Sequence, residues 1–350
     1  MVTETVFDQI FPPSNRNAAY TFSRFLRAAA AVPYLCDETN ETDETCKREL
    51  ATMFAHWSQE TGQLRVLTEG NCLQGGCDSY LSTTAYFFNA NYGSEQSKAK
   101  YQYWGRGPKQ LSWNANYGRF SWDFYNNLSL VEEPYKLLDD QDNVFVSAMW
   151  FYMTPMSLKP SIHEVVVGLW QPNATDTSNN IRSGFGATTN IINGGVECGT
   201  GTTPATELNR IRFYNGGMAQ GVQTQGTLRY LGLSSTNEST DTTLYCDNMK
   251  QFNDAGSGAY SLYFNLNQWS SCELYNHENP FTLYDQTPFA TTKYSRVCNS
   301  GLDCCKMVQG KLKSSQTDAF VMEIGTFPTW VNPSLLVAEE ALQLLLLNSR

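Results

Sequence analysis

Between Leu50 and Gly62 the chain repeats apolar residues at helical spacing: Leu50, Met53, Phe54 and Trp57. This is the pattern of a helix with one buried face. Glu60 lies three residues after Trp57 and seven after Met53, so it shares that face. Gly62 is a natural C-terminal stop. A carboxylate on an apolar face is poorly hydrated, and the negative end of the helix dipole adds to the penalty. Both effects favour the protonated form that a general acid needs. A second carboxylate, Glu69, follows in the polar loop Thr68-Glu69-Gly70-Asn71. Better hydrated, it is expected to stay ionised and to suit a base. Two carboxyl groups in contrasting surroundings are the working pair of glycoside hydrolysis. An ordinary amphipathic helix followed by an acidic loop has the same spacing, since glutamate is a good helix former.

The chain has 350 residues, enough for two domains or one large domain with additions. Aromatic residues make up 13% of it. Their flat faces suit sugar binding, and they equally suit a core. A net charge of −10 argues against nucleic acid as a partner. No apolar run is long enough to cross a membrane. Ten cysteines occur without a zinc-type spacing and with only three histidines, which points to disulfides, an oxidising compartment and no metal. The N-x-S/T sequons at Asn40, Asn127, Asn173 and Asn237 fit a secreted glycoprotein. No signal peptide is visible at the start, so it is expected to be removed or absent.

Helical stretches are expected over 20–31 and 142–153, with another beginning near Lys159. Cys36 and Cys46 bracket an acidic loop that they could close, and Cys72 and Cys77 could staple the exit of the Glu69 loop. From Tyr101 to Tyr117 the chain reads YQYWGRGPKQLSWNANY. Gln110, Ser112, Asn114 and Asn116 alternate with Leu111, Trp113 and Tyr117, which predicts a short strand or an irregular wall with one polar side. Amides and hydroxyls interleaved with aromatics could line a sugar groove; a polar edge strand has the same composition. Asn193 and Glu197 are expected to flank a turn, followed by a helix over 207–214 with Arg210 and Arg212, where a glutamate near an arginine reads as a structural ion pair only. Residues 221–243 read as a linker or long loop, and Asn332 to Leu347 as a terminal helix.

The segment Tyr103-Trp104-Gly105-Arg106-Gly107-Pro108-Lys109-Gln110-Leu111-Ser112-Trp113-Asn114 is similar to the family 19 glycoside hydrolases, the plant-type chitinases. Glu60-Thr61-Gly62 resembles the segment around that family's acid. Further blocks match in order: Phe151 to Pro155 with Lys159-Pro160-Ser161 and His163, Thr189 to Gly199, then Asn209-Arg210-Ile211 with Phe213-Tyr214. Together they span roughly residues 5 to 220.

The resemblance implies an α+β, mainly α-helical, lysozyme-like two-lobed domain with a deep cleft. This gives a chitinase-like catalytic domain over 1–220, the linker or long loop over 221–243, and a cysteine-containing extension of unassigned role over 244–350. It implies inverting endo-hydrolysis of β-1,4-linked N-acetylglucosamine polymers without cofactor or metal; the chain is expected to be a secreted monomer. Glu60 falls at the general acid and Glu69 at the general base. Ser112 matches the hydroxyl that holds the attacking water. Gln110, Asn116, Lys159 and Asn193 match sugar contacts, and Tyr103 and Trp104 are expected to bind substrate beside them. Glu197 and Arg210 match charged partners of the catalytic site. The family also ties the end of its NGG block to a downstream cysteine, which suggests Cys198 with Cys246. Ala115 stands where the family has a cleft tyrosine, and Gln59 where it has a histidine. A chitin-binding protein with weakened turnover, or a hydrolase of peptidoglycan or chitosan, is the alternative expectation.

Overall fold

The computed structural model describes residues 2–32, 35–36, 41–70, 72, 103–125, 129–139, 143–154 and 159–252, with strands at 260–264, 271–276 and 296–297. The architecture is α+β and mainly helical. The helices are α1 (Glu4–Ile10), α2 (Phe22–Ala31), α3 (Asp43–Thr61), α4 (Asn114–Tyr125), α5 (Ser129–Glu132), α6 (Asn143–Met153), α7 (Ile162–Val166), α8 (Ala174–Ser178), α9 (Phe185–Glu197), α10 (Ala205–Asn215) and α11 (Thr227–Tyr230). A small antiparallel hairpin pairs β1 (Gly217–Ala219) with β2 (Val222–Thr224). Strands β3 (Tyr260–Phe264), β4 (Ser271–Asn276) and β5 (Arg296–Val297) form an antiparallel sheet in that order.

Short polar residues start the helices where expected from capping chemistry. The hydroxyls of Thr3, Thr21 and Thr42 accept amide hydrogens at the starts of α1, α2 and α3. Ser161 with Glu164 and Asn173 with Asp176 form reciprocal capping boxes on α7 and α8. Asn173 thus serves as a cap as well as lying in a sequon.

Helix α3 is the axis of the body. It packs against α7, α9, α10 and α11, and every residue from Glu49 to Ser58 is buried. The single apolar stripe expected from Leu50, Met53, Phe54 and Trp57 is therefore too narrow a description. The other faces hold Ala51, Thr52, Ala55 and Ser58, whose small size lets neighbouring helices close in. Their polar atoms are satisfied locally: Thr52 and Ser58 donate to the carbonyls of Arg48 and Phe54, and Thr227 of α11 donates to the carbonyl of Ala51. On the expected face, Phe54 meets Phe7, Phe11, Phe25 and Trp57 within one ring cluster. Each such side chain contributes about 1.5–3 kcal/mol through burial.

Gly62 ends α3 in the left-handed conformation, φ 60° and ψ 49°, donating its amide to the Ser58 carbonyl. The chain then turns at once toward the Glu69 loop.

Residues 221–243, expected as a linker or long loop, contain β2 and α11, and Thr227, Leu228, Leu231 and Thr224 are buried there. The path continues as a strap over α9. Asn215 and the backbone of Thr236 exchange hydrogen bonds of 2.8 Å in both directions. Arg182 donates to the carbonyls of Thr242 and Tyr245, and Asn190 to that of Lys250. Cys198–Cys246 locks the strap to the end of α9, and Cys36–Cys46 closes the loop before α3. Cys72 is also disulfide-bonded; Cys77, its suggested partner, lies outside the described residues. So do the sequons at Asn40 and Asn127 and the expected helix over 332–347.

Candidate active site

Glu60 sits on the last turn of α3, and its side chain is 17% exposed. The group facing it is an arginine rather than an apolar wall. Arg210 of α10 donates Nη2 to Glu60 Oε1. The same guanidinium makes two further bonds to Glu197 of α9, Nε to Oε2 at 2.9 Å and Nη2 to Oε1 at 2.8 Å. Arg210 and Glu197 are buried, at 2% and 1% side-chain exposure. One guanidinium thus bridges two carboxylates from different helices. The pairing also holds Arg210 firmly protonated, since Glu60 and Glu197 overcome the cost of its burial.

Asn193 reaches Glu197 from within α9, donating Nδ2 to Oε1 at 2.7 Å. It does so because α9 is kinked there, with φ −148° and ψ 35° at Asn193. The turn expected between Asn193 and Glu197 is this kink inside one helix. Lys159 donates to the Ile191 carbonyl, 3.3 Å away, on the same helix. Burial, then the charge of Lys109, pushes the Lys159 ammonium down to about 8.

His56 lies one turn before Glu60 and completes the network. Its Nδ1 accepts from Arg210 Nη1 at 3.4 Å, so Nε2 carries the hydrogen that goes to Thr188 Oγ1 at 2.8 Å. Its ring stacks on Phe185, with centroids 4.8 Å apart. Burial, then the charges of Arg210 and Lys109, pushes His56 well below the usual imidazole range. It is a neutral spacer under the ion pairs. The i, i+4 spacing from Glu60 was the sequence signal for it.

Glu69 stands on the wall built by 67–69 and 105–107. Thr68 pairs with Arg106 across an antiparallel bridge, and Arg106 pairs onward with Leu111. The Glu69 amide donates to the Gly105 carbonyl at 3.0 Å, and the Gly105 amide returns a bond to Glu69 Oε2 at 3.1 Å. Arg106, also absent from the sequence expectations, is buried behind this wall. It donates to the Tyr117 hydroxyl at 2.8 Å and stacks on Trp104.

The remaining expected contacts lie along the same wall, folded onto their own backbone. Gln110 donates Nε2 to the Gly107 carbonyl at 2.8 Å, Ser112 its hydroxyl to the Gln110 carbonyl at 2.9 Å, and Asn116 its Nδ2 to the Ser112 carbonyl at 2.9 Å. Positive φ at Gln110 (53°) and Trp113 (75°) bends the wall, and α4 starts at Asn114 where alternation had suggested a short strand or an irregular wall. Tyr103 and Trp104 are only 1% and 6% exposed. They lie inside the wall, where the Tyr103 ring meets Tyr117 edge to face and the Arg106 guanidinium lies over Trp104. Gln59, the departure beside Glu60, is held by Gln220 at the β1–β2 turn, which donates to both its backbone and its side-chain carbonyl oxygen at 3.0 and 2.9 Å.

The family model Glyco_hydro_19, chitinase class I, matches residues 1–228. The chain belongs to the class I chitinase family. Endochitinase WIN8 of Populus trichocarpa is 34% identical over 264 residues, covering 73% of this chain and 76% of the relative. The endochitinase of Carica papaya is 34% identical over 261 residues, covering 72% of this chain and 98% of the relative. Among solved structures, chitinase C from Streptomyces griseus HUT6037 aligns with a TM-score of 0.51 at 29% identity, over 70% of this chain and 80% of its own. This family membership agrees with the expected lysozyme-like α+β fold, and it makes the chain a glycoside hydrolase of the chitinase type. The family match ends at 228, whereas the strap runs on to Phe252.

Proposed function

We propose that this family member is a secreted endo-chitinase that cleaves β-1,4 linkages between N-acetylglucosamine units by one inverting displacement. The observation that supports it most is the guanidinium shared by Glu60 and Glu197. A general acid must be able to hold a proton without leaving a buried cation unpaired, because an unpaired buried charge is costly. Glu197 already takes two of the Arg210 bonds. When Glu60 becomes protonated, Arg210 therefore remains neutralised. Glu60 then gives its proton to the glycosidic oxygen as the bond breaks.

Glu69 serves as the base. Backbone pairing with Gly105 aims its carboxylate, and its second oxygen takes a proton from water. Ser112 supplies the hydroxyl that holds this water, after turning from its present bond to Gln110. Inverting enzymes keep the two carboxyl groups about 6.5–9.5 Å apart so that water fits between them. Gln110, Asn116, Lys159 and Asn193 are the sugar contacts in this reading. The reaction draws on side chains alone. The catalytic unit extends through the strap to Phe252, since the strap braces the helix that presents Asn193 and Glu197.

The test is turnover of chitin hexamer by Glu60→Gln and Glu69→Gln with the products resolved by anomer. Each variant should lose at least about 10²–10⁴-fold in kcat, the range of general acid–base contributions, while still binding the oligosaccharide. The wild type should release the α-anomer first. Near-full activity in Glu60→Gln, or a β-anomer product, would overturn the mechanism.

A further inference from the structure

Lys109 occupies the turn between Gly107 and Leu111 and is partly exposed. Its ammonium lies 4.5 Å from the centre of the Phe151 ring. Among the described residues, no hydrogen bond or ion pair engages it. The charges that act on it, after the effect of burial, are Glu60, Arg210 and Glu197, so it belongs to the wall of the proposed acid. It in turn acts on Lys159. The two carboxylates of this wall are already engaged by Arg210. Lys109 is therefore an additional cation within reach of Glu60, with Lys159 near enough to feel its charge, and Lys109 has three unspent donors on a flexible stem.

Such a group has two consequences for a sugar polymer. It donates to neutral acceptors, a hydroxyl or an acetamide carbonyl. It also repels an ammonium. Removing the acetyl group from N-acetylglucosamine creates an ammonium at that position. We propose that Lys109, backed by Lys159, is a specificity-determining residue that makes the cleft reject a deacetylated sugar beside Glu60. The inference rests on the chitinase reading of the site. The field of the whole chain acts in the opposite sense, since a net charge of −10 attracts a cationic polymer. Salt near 0.15 M separates the two, because the screening length of about 8 Å damps the distant charges more than the adjacent lysine.

The experiment measures, by calorimetry at that salt in mildly acidic buffer, the full chain's affinity for the N-acetylglucosamine tetramer and for the glucosamine tetramer. The wild type should prefer the acetylated tetramer. Lys109→Met keeps the apolar stem on Phe151 and removes the charge, so the preference should narrow by roughly tenfold, equivalent to about 1.4 kcal/mol. Lys109→Arg should keep it within a factor of about two, since its charge remains. Lys159→Met provides a second charge removal on the same wall and should shift the ratio in the same direction. An unchanged ratio in both methionine variants overturns the proposal. Product analysis runs in parallel: a shifted ratio without any hydrolysis would uphold Lys109 while removing the catalytic reading. Failure to bind either tetramer would overturn both.

Discussion

Glu207 offers a quantitative test of how the strap is held. It lies in the first turn of α10 with 0% exposure. One carboxylate oxygen accepts the Cys246 amide; the other has no hydrogen-bond partner among the described residues. Burial raises its pKa from 4.5 to about 7, with the Cys246 amide opposing and the Asp247 and Glu197 charges adding to the rise. In the unfolded chain the group titrates near 4.5. Below that pH both states are protonated and no penalty exists. Between 4.5 and 7 the folded state holds a proton that the unfolded state has lost, so stability falls as pH rises. Above about 7 the loss is complete. At about 1.36 kcal/mol per pKa unit, it amounts to about 3 kcal/mol. Glu207→Gln removes the titration. Any cost of seating its amide nitrogen is the same at every pH and cancels from the pH dependence. Urea unfolding of both proteins, disulfides intact, at several pH values across this window should show the variant gaining about 3 kcal/mol on the wild type from the acid end to the alkaline end. Parallel stability curves would refute the reasoning.

The Lys159 ammonium, lowered from 10.5 to about 8, loses its charge as pH rises through that value. Wild-type affinity for the N-acetylglucosamine tetramer should therefore weaken above about pH 8, and Lys159→Met should show no such step; calorimetry across that range checks it. Replacing Cys198 and Cys246 by alanine opens a loop with a sequence separation of 48 and should cost about 4 kcal/mol by chain entropy, read from urea unfolding. In Gly186→Ala the new Cβ would lie 2.2 Å from the Tyr245 carbonyl oxygen, against 3.6 Å to the nearest atom for Gly195→Ala. The first should lose about 1–3 kcal/mol by forcing the strap away; the second should gain about 0.5–1 kcal/mol as a helical glycine replaced by alanine. Thermal unfolding ranks the pair.

Local chemistry explains what was legible beforehand. Helical spacing placed α3 and Glu60, and Gly62 marked its end, because these depend on neighbours in sequence. The surroundings of Glu60 depend on contact across 150 residues with Arg210, so a poorly solvated acid was expected where an ion-paired one stands. The family blocks supplied both members of that pair but not their geometry. The alternating pattern at 110–117 allowed a short strand or an irregular wall; positive φ at Gln110 and Trp113 leaves the irregular wall, and from Asn114 the chain is helical. Polarity of 221–243 suggested a linker; its few apolar residues, Leu228 and Leu231, nevertheless reach the body and are buried. Lys109 gave no signal at all, since an isolated lysine in a turn usually reads as solvated surface.

The cross-link between Cys198 and Cys246 also has a mechanical meaning. A pull applied at Phe252 first loads the backbone bonds of Lys250 to Asn179 and Asn190. Six residues upstream the load meets a covalent stop and passes into the end of α9. Hydrogen bonds from Arg182 to the carbonyls of Thr242 and Tyr245 lie behind that stop and are shielded from the tension. The part of the chain beyond residue 252 can thus tug on the body without peeling the upstream strap from it.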